Sequence, residues 1–144
     1  MQLKIIFIIS FIFLLILLII FFLPLKQKTV YVKGGAVRVE IADNSFSQFK
    51  GLSFRDELCP DCGMLFVYDK MAPRTFTMRG MKFPLDFIWI QDSEIVQIDK
   101  MIKPAGEDQK TPLIKGARSN YVLEVIGGYC DKYGIKAGDK VNIE

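Results

Sequence analysis

The sequence predicts a mostly β domain, a barrel or a sandwich with one or two short helices, preceded by an N-terminal transmembrane helix. Residues 63–98 place runs of aromatic and β-branched side chains between short polar breaks, which is typical of successive strands. Residues 5–25 carry no charge and are almost all Ile, Leu and Phe. Because 144 residues suffice for one domain and an accessory segment, we divide the chain into an anchor with a basic tether, residues 1–29, and a compact domain, residues 30–144.

The apolar run of residues 5–25 has the length that a helix needs to cross a bilayer, about 20 residues. A cleaved signal peptide is the alternative, although no small-residue cleavage site follows the run. The flanking lysines slightly favour a cytoplasmic domain by the positive-inside rule, whereas the very short amino-terminal tail is typical of a signal anchor. We expect a single-pass membrane protein whose domain lies outside the cytoplasm.

Charge and the lack of His exclude several functional classes. The net charge of +3 comes from Lys4, Lys26 and Lys28; subtracting these three from 19 basic residues leaves 16, which the 16 acidic residues balance. A domain without net charge is a poor partner for nucleic acid, whose non-specific binding depends on phosphate neutralisation. Without His, a Ser–His–Asp triad and a His-containing zinc site are excluded. We predict no metal and no cofactor.

The first part of the domain predicts a hairpin followed by a short helix. Residues 30–32 and 36–42 have the composition and alternation of strands, and the Gly-Gly pair between them favours a tight turn. One of the polar residues 43–45 caps the helix that follows. Phe46 and Phe49 have helical spacing, so we expect both side chains in the core.

The rest of the domain predicts further strands separated by breaks. Ala72 and Pro73 interrupt an extended run, and residues 103–118 form a long polar loop of the kind that often carries function. Residues 127–133 predict one or two helical turns that end at Gly134. The expected strands are residues 64–68, 74–78, 85–90, 95–98, 121–126 and 140–143.

Five motifs in order carry a resemblance to a known family. They are GLSFR at 51–55, GMLFVY at 63–68, FTMRGMKFPLDFIWI at 76–90, YVLEVIGG at 121–128 and GIKAGDKV at 134–141. On these motifs, residues 36–144 resemble the domain of unknown function 192 family. The resemblance implies a compact, mostly β domain, often carried behind a signal or anchor in prokaryotes, and no agreed activity.

The chain departs from the usual pattern of that family at three places. Ser53 stands where the family commonly has Met, and Thr77 stands where it commonly has an aromatic residue. Gly80 and Met81 stand where it often has Asn-Thr. If the usual side chains line a site in relatives, that site is altered here.

Arg55, Met78, Arg79, Asp86 and Glu124 occupy motif positions of the family and are our candidate ligand-binding residues. Asp86 precedes an apolar strand, so we expect it at the strand's rim with Arg55 as partner, because a buried carboxylate needs one. The pair is then either a structural ion pair or, with Arg79, a ligand site.

Glu124 alternates with Leu123 and Val125, which predicts a solvated strand face for its side chain. Together with Asp86 it would supply the two carboxylates of a hydrolase, provided that their environments separate their pKa values. Nothing in the sequence places the two residues near each other.

Cys59 and Cys62 form a C-P-D-C motif, and we favour a disulfide that staples an exported domain. Inert thiols, a metal site that includes Cys130 and a redox centre are the alternatives. A metal site would be one ligand short of a tetrahedron. Redox motifs of this kind follow a strand and open a helix, whereas this one precedes a strand.

The sequence therefore supports three hypotheses of function, each from a different class. The first is an accessory module that binds a small ligand or a partner protein through residues 74–86 and 103–118. The second is a carboxylate-dependent hydrolase that uses Asp86 and Glu124. The third is a purely structural protein of the cell envelope.

Overall fold

The computed structural model describes residues 2–22, 24–106 and 110–144. For residues 2–3 and 20–22 it describes the backbone only. The domain is a mostly β half-barrel with short helices. Its elements, in order, are α1 Gln2–Phe22, β1 Gln27–Val32, β2 Gly35–Ala42, α2 Ser45–Lys50, β3 Cys62–Thr77, β4 Leu85–Gln91, β5 Glu94–Ile102, β6 Leu113–Ile126, α3 Tyr129–Tyr133 and β7 Val141–Ile143.

The seven strands form one sheet in the order β5-β4-β6-β3-β2-β1-β7. All neighbouring strands pair antiparallel except β2 and β3, which pair parallel. The two edges of the sheet approach each other, since the amide of Ile95 donates to the carbonyl of Asp139 and that of Val141 donates to Ser93. The sheet therefore curls into a half-barrel, which corrects the predicted barrel or sandwich.

Each face of the curled sheet carries its own apolar core. One core contains Val39, Leu65, Ile88 and Leu123 and reaches Cys130 of α3. The core on the other face contains the bulkiest buried aromatic side chains of the sheet, which are Phe66, Phe87 and Trp89. Met64, Met78 and Leu85 pack around them. Because side chains alternate along a strand, neighbouring residues of β4 and β6 serve opposite cores.

Local signals predicted several elements correctly. The β1–β2 hairpin, the strand of residues 85–90 and the α3 turn that ends at Gly134 are confirmed. Asn44 is the N-cap of α2, and its side chain accepts a hydrogen bond from the amide of Ser47. β4 is buried on both faces, as its composition predicts.

Three predicted boundaries are wrong. β3 continues through Ala72 and Pro73, where shifts in its register with β6 absorb the irregularity. Residues 113–118 belong to β6 and not to a loop, because they pair with the second half of β3. β1 begins at Gln27, inside the predicted tether, because its residues pair with β2.

The predicted transmembrane helix is also corrected. Within the residues that the structure describes, no helix is both long and apolar enough to cross a membrane.

Candidate functional site

A pocket of about 280 Å³ opens on the face of the sheet that carries the aromatic core. Its walls come from α2 and the residues that follow it, from β3, and from the loop between β3 and β4. Leu85 of β4 and Glu124 of β6 complete it. The lining residues are Gln48, Phe49, Lys50, Gly51, Leu52, Ser53, Phe66, Tyr68, Thr75, Phe76, Thr77, Arg79, Met81, Leu85 and Glu124.

Glu124 contributes a buried carboxyl group to this pocket. In the sheet it pairs with Met64 on one side and Phe87 on the other, so its side chain projects among apolar neighbours. Its residue surface is only 4 % exposed, and no described residue forms a hydrogen bond to its carboxyl group. The predicted solvated face is therefore wrong, because the sheet is covered on both sides.

Burial changes the acid–base behaviour of Glu124. Loss of hydration raises the pKa of this carboxyl group to about 8, and the positive charge of Arg55 opposes the rise. Near neutral pH the group is therefore mostly protonated. A protonated carboxyl group can both donate and accept a hydrogen bond.

Arg55 is bound to a different carboxylate. Its Nη1 and Nη2 donate to Oε1 and Oε2 of Glu40 at 2.5 and 2.7 Å, a bidentate pair that is about three-quarters buried. The hydrogen bond to Glu40 is the main cause that raises the pKa of Arg55, and Glu124 adds a smaller contribution. Glu40 pairs with Met64, which pairs with Glu124, so both carboxyl groups lie in one cross-strand row.

Asp86 lies on the opposite face of the sheet and is completely buried. Its Oδ1 accepts from the amides of Met101 at 2.8 Å and Gly128 at 3.1 Å, and its Oδ2 accepts from that of Cys130 at 2.9 Å. These bonds fix α3 and the end of β5. Asp86 stands at the beginning of β4, as predicted. The predicted pair with Arg55 is wrong, since backbone amides satisfy the carboxylate.

Of the two remaining candidates, one lies in the core and the other lies at the pocket wall. Met78 is 2 % exposed and fills the aromatic core, so it does not reach the pocket. Arg79 lies at the pocket wall, where its Nη2 donates to the carbonyl of Phe49 at 2.8 Å. Its guanidinium group stacks on the ring of Phe49, 4.1 Å from the centroid.

An aromatic rim, Phe46, Phe49 and Phe54, is exposed on α2 and the loop after it, and Phe49 also lines the pocket. These side chains are 48 %, 69 % and 69 % exposed, so the predicted burial of Phe46 and Phe49 is wrong. The six-residue α2 buries only Ser47. A helix of one and a half turns is too short for its spacing to identify a core face.

Tyr68 is a further residue of the pocket that we did not predict from the sequence. It follows Phe66 on the same face of β3 and lines the pocket, with the guanidinium group of Arg74 stacked 3.8 Å from its ring centroid. Burial raises the pKa of its phenol to about 12. The period-2 alternation from Met64 through Phe66 to Tyr68 could have placed it beside the core.

The positions that depart from the family pattern gather at this pocket. Ser53, Thr77 and Met81 all line it. The hydroxyl of Ser53 donates to the carbonyl of Arg79 at 2.9 Å, which ties the two walls together. The amide of Phe54 donates to the carbonyl of Gly80 at 2.7 Å, and a Cβ atom at Gly80 would lie 2.8 Å from the Phe54 ring.

The cysteines lie outside the pocket lining. A disulfide joins Cys59, in the turn before β3, to Cys62, the first residue of β3, and Cys130 is a buried free thiol. Burial is the main cause that raises the pKa of Cys130. Across the described residues, no three Cys, Asp or Glu side chains are grouped as metal ligands would be.

Comparisons with known proteins give a family and two solved structures. A family model, DUF192, described as uncharacterized ACR, matches residues 28–143. A Sinorhizobium meliloti 1021 protein, described as a proposed transcription regulator, is 26 % identical, with a TM-score of 0.77 over 84 % of this chain and 96 % of that one. A protein of unknown function from Novosphingobium aromaticivorans DSM 12444 is 35 % identical, with a TM-score of 0.73 over 82 % and 86 %. No curated protein matches the chain.

Proposed function

The chain belongs to the DUF192 family, and we propose that its domain is an accessory module that binds a small organic molecule in the pocket beside Glu124. The carrying observation is that a buried carboxyl group reaches this pocket without a hydrogen bond from any described residue. A polar group removed from water without a partner costs free energy. A ligand that hydrogen-bonds Glu124 recovers that free energy on binding.

The pocket wall suggests the chemistry of the ligand. Glu124 favours a hydroxyl, amide or amine group at one end of the molecule, since a carboxyl group accepts and, when protonated, donates. Phe66, Phe76 and Leu85 offer apolar contact between the ends. Arg79 offers positive charge to a carboxylate or another acceptor. The volume of about 280 Å³ is near the lower limit for small-molecule sites, so the ligand is small.

The geometry argues against the hydrolase. Asp86 pairs with Val125 and Glu124 pairs with Phe87, so the two acidic side chains leave the sheet on opposite faces. Asp86 is also occupied by three backbone amides. Two carboxyl groups divided by the sheet cannot act on one bond.

The description of the Sinorhizobium protein does not extend our proposal to nucleic acid. The 16 acidic residues of this chain balance the basic residues of the domain. Phosphate recognition requires a surplus of positive charge at the interface. We therefore keep a small molecule as the proposed ligand.

A partner protein is the second candidate, and the aromatic rim favours it. Phe46, Phe49 and Phe54 are exposed, and aromatic side chains are enriched where proteins bind each other. The two candidate functions predict that different substitutions abolish binding. Replacing Glu124 removes small-molecule binding, whereas a protein docked on the rim depends on Phe46 and Phe54.

We place the domain outside the cytoplasm as part of this proposal. The disulfide between Cys59 and Cys62 supports the placement, because such bonds persist mainly in oxidising compartments. A membrane-impermeant maleimide, applied to intact cells after mild reduction, should label these cysteines. Labelling that requires cell lysis would contradict the placement.

A thermal-shift screen tests the binding function. The full chain is heated with small organic acids, amino acids, sugars and nucleotides. A ligand that binds the native state increases the free energy of unfolding, by about 2.7 kcal/mol at 100 times Kd, and so raises the melting temperature. We expect the shift to be lost in Glu124→Gln and reduced in Arg79→Ala. Glu57→Gln, which alters an exposed carboxylate, is the matched control. Equal shifts in all of these variants would refute the pocket as the site.

A further inference from the structure

The disulfide motif has the surroundings of a reactive site. Cys59 is exposed and Cys62 is half-buried. Only two residues separate them, and their Cα atoms lie 5.2 Å apart. Exposed disulfides are the ones most open to thiol attack and most often regulatory or catalytic.

Arg38 of β2 lies against both sulfur atoms. It pairs with Cys62 across the parallel strands, and its Nη2 lies 3.8 Å from Sγ of Cys59 and 3.7 Å from Sγ of Cys62. Among the described residues, Arg38 forms no ion pair with a carboxylate. Its positive charge is therefore directed at the sulfur atoms.

The neighbouring carboxylate of Asp61 is bound by other residues, so it does not neutralise Arg38. Asp61, between the two cysteines, accepts a hydrogen bond from the Tyr133 hydroxyl at 3.1 Å and pairs with Lys132 at 3.7 Å. Its carboxylate is thus engaged by α3. A positive group beside a Cys stabilises the thiolate and lowers the pKa of the thiol.

We infer that Cys59 and Cys62 form a thiol–disulfide exchange couple that reacts with external dithiols and disulfides, with Arg38 stabilising the thiolate form. In most C-x-x-C centres a helix N-terminus supplies the positive field. Here the motif precedes a strand, and a β2 guanidinium group takes that place. This inference uses no residue of the proposed pocket.

The exchange balances as two thiolate attacks. A thiolate of an external dithiol attacks Sγ of the exposed Cys59; the Cys59–Cys62 bond breaks, a mixed disulfide forms and Cys62 leaves as a thiolate beside Arg38. The second thiol of the reductant then attacks its own sulfur in the mixed disulfide and releases Cys59. Two electrons pass to the protein pair, the two protons of the reductant go to solvent or to the released Cys thiolates, and the reductant leaves as a disulfide.

The backbone favours a reversible reaction. The amide of Cys62 donates to the carbonyl of Cys59 at 3.0 Å, and the amide of Arg38 donates to the carbonyl of Asp61 at 2.9 Å. Neither bond involves a sulfur atom. The turn therefore keeps the two thiols close after reduction, ready to form the disulfide again.

The experiment measures the redox equilibrium and the thiolate of the native full chain. The protein is equilibrated in glutathione buffers, alkylated, and the oxidised fraction is read from the mass shift, with circular dichroism to verify the fold. In the reduced protein, we expect the pH profile of iodoacetamide alkylation to have its midpoint below about 8.5, the ordinary thiol pKa. Arg38→Met should raise that midpoint by about one unit, which slows alkylation at acidic pH roughly tenfold.

The controls separate exchange from a permanent staple. Arg118→Met removes a positive charge elsewhere and should leave the midpoint unchanged, while Arg38→Lys should keep it low. Cys62→Ser should trap glutathione on Cys59 as a mixed disulfide. The inference is overturned if dithiothreitol reduces the pair only when the domain unfolds, or if Arg38→Met and Arg118→Met give the same midpoint.

Discussion

Asp86 and Glu124 are two buried carboxyl groups on adjacent strands, and they have opposite surroundings. They occupy neighbouring rungs of the β4–β6 ladder and leave the sheet on opposite faces. Asp86 receives three backbone hydrogen bonds, which hold α3 and the end of β5 in place. Glu124 receives none from the described residues and faces a pocket.

The difference shows that burial alone does not identify a functional carboxyl group. Three amide donors compensate the desolvation of Asp86. These hydrogen bonds stabilise the fold and leave no unsatisfied carboxylate for a ligand to bind. The desolvation of Glu124 is compensated mainly by protonation, which is why its pKa rises to about 8. An uncompensated group beside a cavity is the one that a ligand can stabilise.

The largest effect should come from Asp86→Ala. The change leaves three buried amides without an acceptor, and we expect the free energy of unfolding to fall by roughly 3–5 kcal/mol. Urea unfolding monitored by tryptophan fluorescence measures it, since Trp89 is fully buried. Asp69→Ala, at an exposed carboxylate, is the control and should cost less than about 0.5 kcal/mol. A loss of ligand binding at unchanged stability would show instead that Asp86 serves a site.

Glu124→Gln should change how stability depends on pH. Because the pKa of Glu124 lies near 8 in the native state and near 4.5 in the reference state, the native protein holds a proton that the unfolded chain releases between these values. Stability conferred by this proton is complete below pH 4.5 and is lost as pH rises to about 8, at roughly 1.4 kcal/mol per pH unit.

Urea unfolding of wild type, Glu124→Gln and Glu57→Gln at several pH values tests this slope. The difference between wild type and Glu124→Gln should grow in favour of the variant from about pH 5 to pH 8 and then level off. Glu57→Gln should follow the wild type throughout. Parallel curves for all three proteins would show that Glu124 keeps an ordinary pKa in the native state.

The sequence predicted this contrast only in part, because local and long-range features differ in how they are encoded. The hairpin, the Asn44 cap and the Gly134 turn depend on neighbouring residues and were identified. The bidentate pair of Arg55 with Glu40 was not, since the parallel pairing of β2 and β3 and the packing of the intervening loop bring them together. The partners of Asp86 are backbone amides, which carry no signature in the side chains.

Pro73 shows the same limit in the fold. A proline normally ends a central strand because it lacks an amide donor. Among the residues that the structure describes, however, β3 pairs with β2 only over residues 62–66, so further along it pairs with β6 alone and the register shifts there. The proline is tolerated because that half of β3 has one free edge, a feature that only the assembled sheet reveals.

Arg55→Met should sharpen the comparison at the Glu124 side. The change removes the bidentate partner of Glu40, and we expect a loss of roughly 2 kcal/mol in the free energy of unfolding. It also removes the positive charge that opposes the rise of the Glu124 pKa. The pH range over which stability falls should therefore extend above pH 8. Glu40→Gln is the control: it should lose part of the same stability and leave Arg55 free to lower the Glu124 pKa further.

The smallest effect on stability should come from the aromatic rim. Phe49 is 69 % exposed, so Phe49→Ala removes little buried surface and should change the free energy of unfolding by less than about 0.5 kcal/mol, apart from its contact with Arg79. The same change releases Arg79 from the ring that holds it at the pocket wall. A ligand found by thermal shift should then bind more weakly while stability stays near wild type. Phe87→Ala, in the core, should cost about 3–5 kcal/mol and serve as the opposite reference. If Phe49→Ala destabilises the domain as Phe87→Ala does, the rim belongs to the core, and the pocket loses the exposed wall on which its access depends.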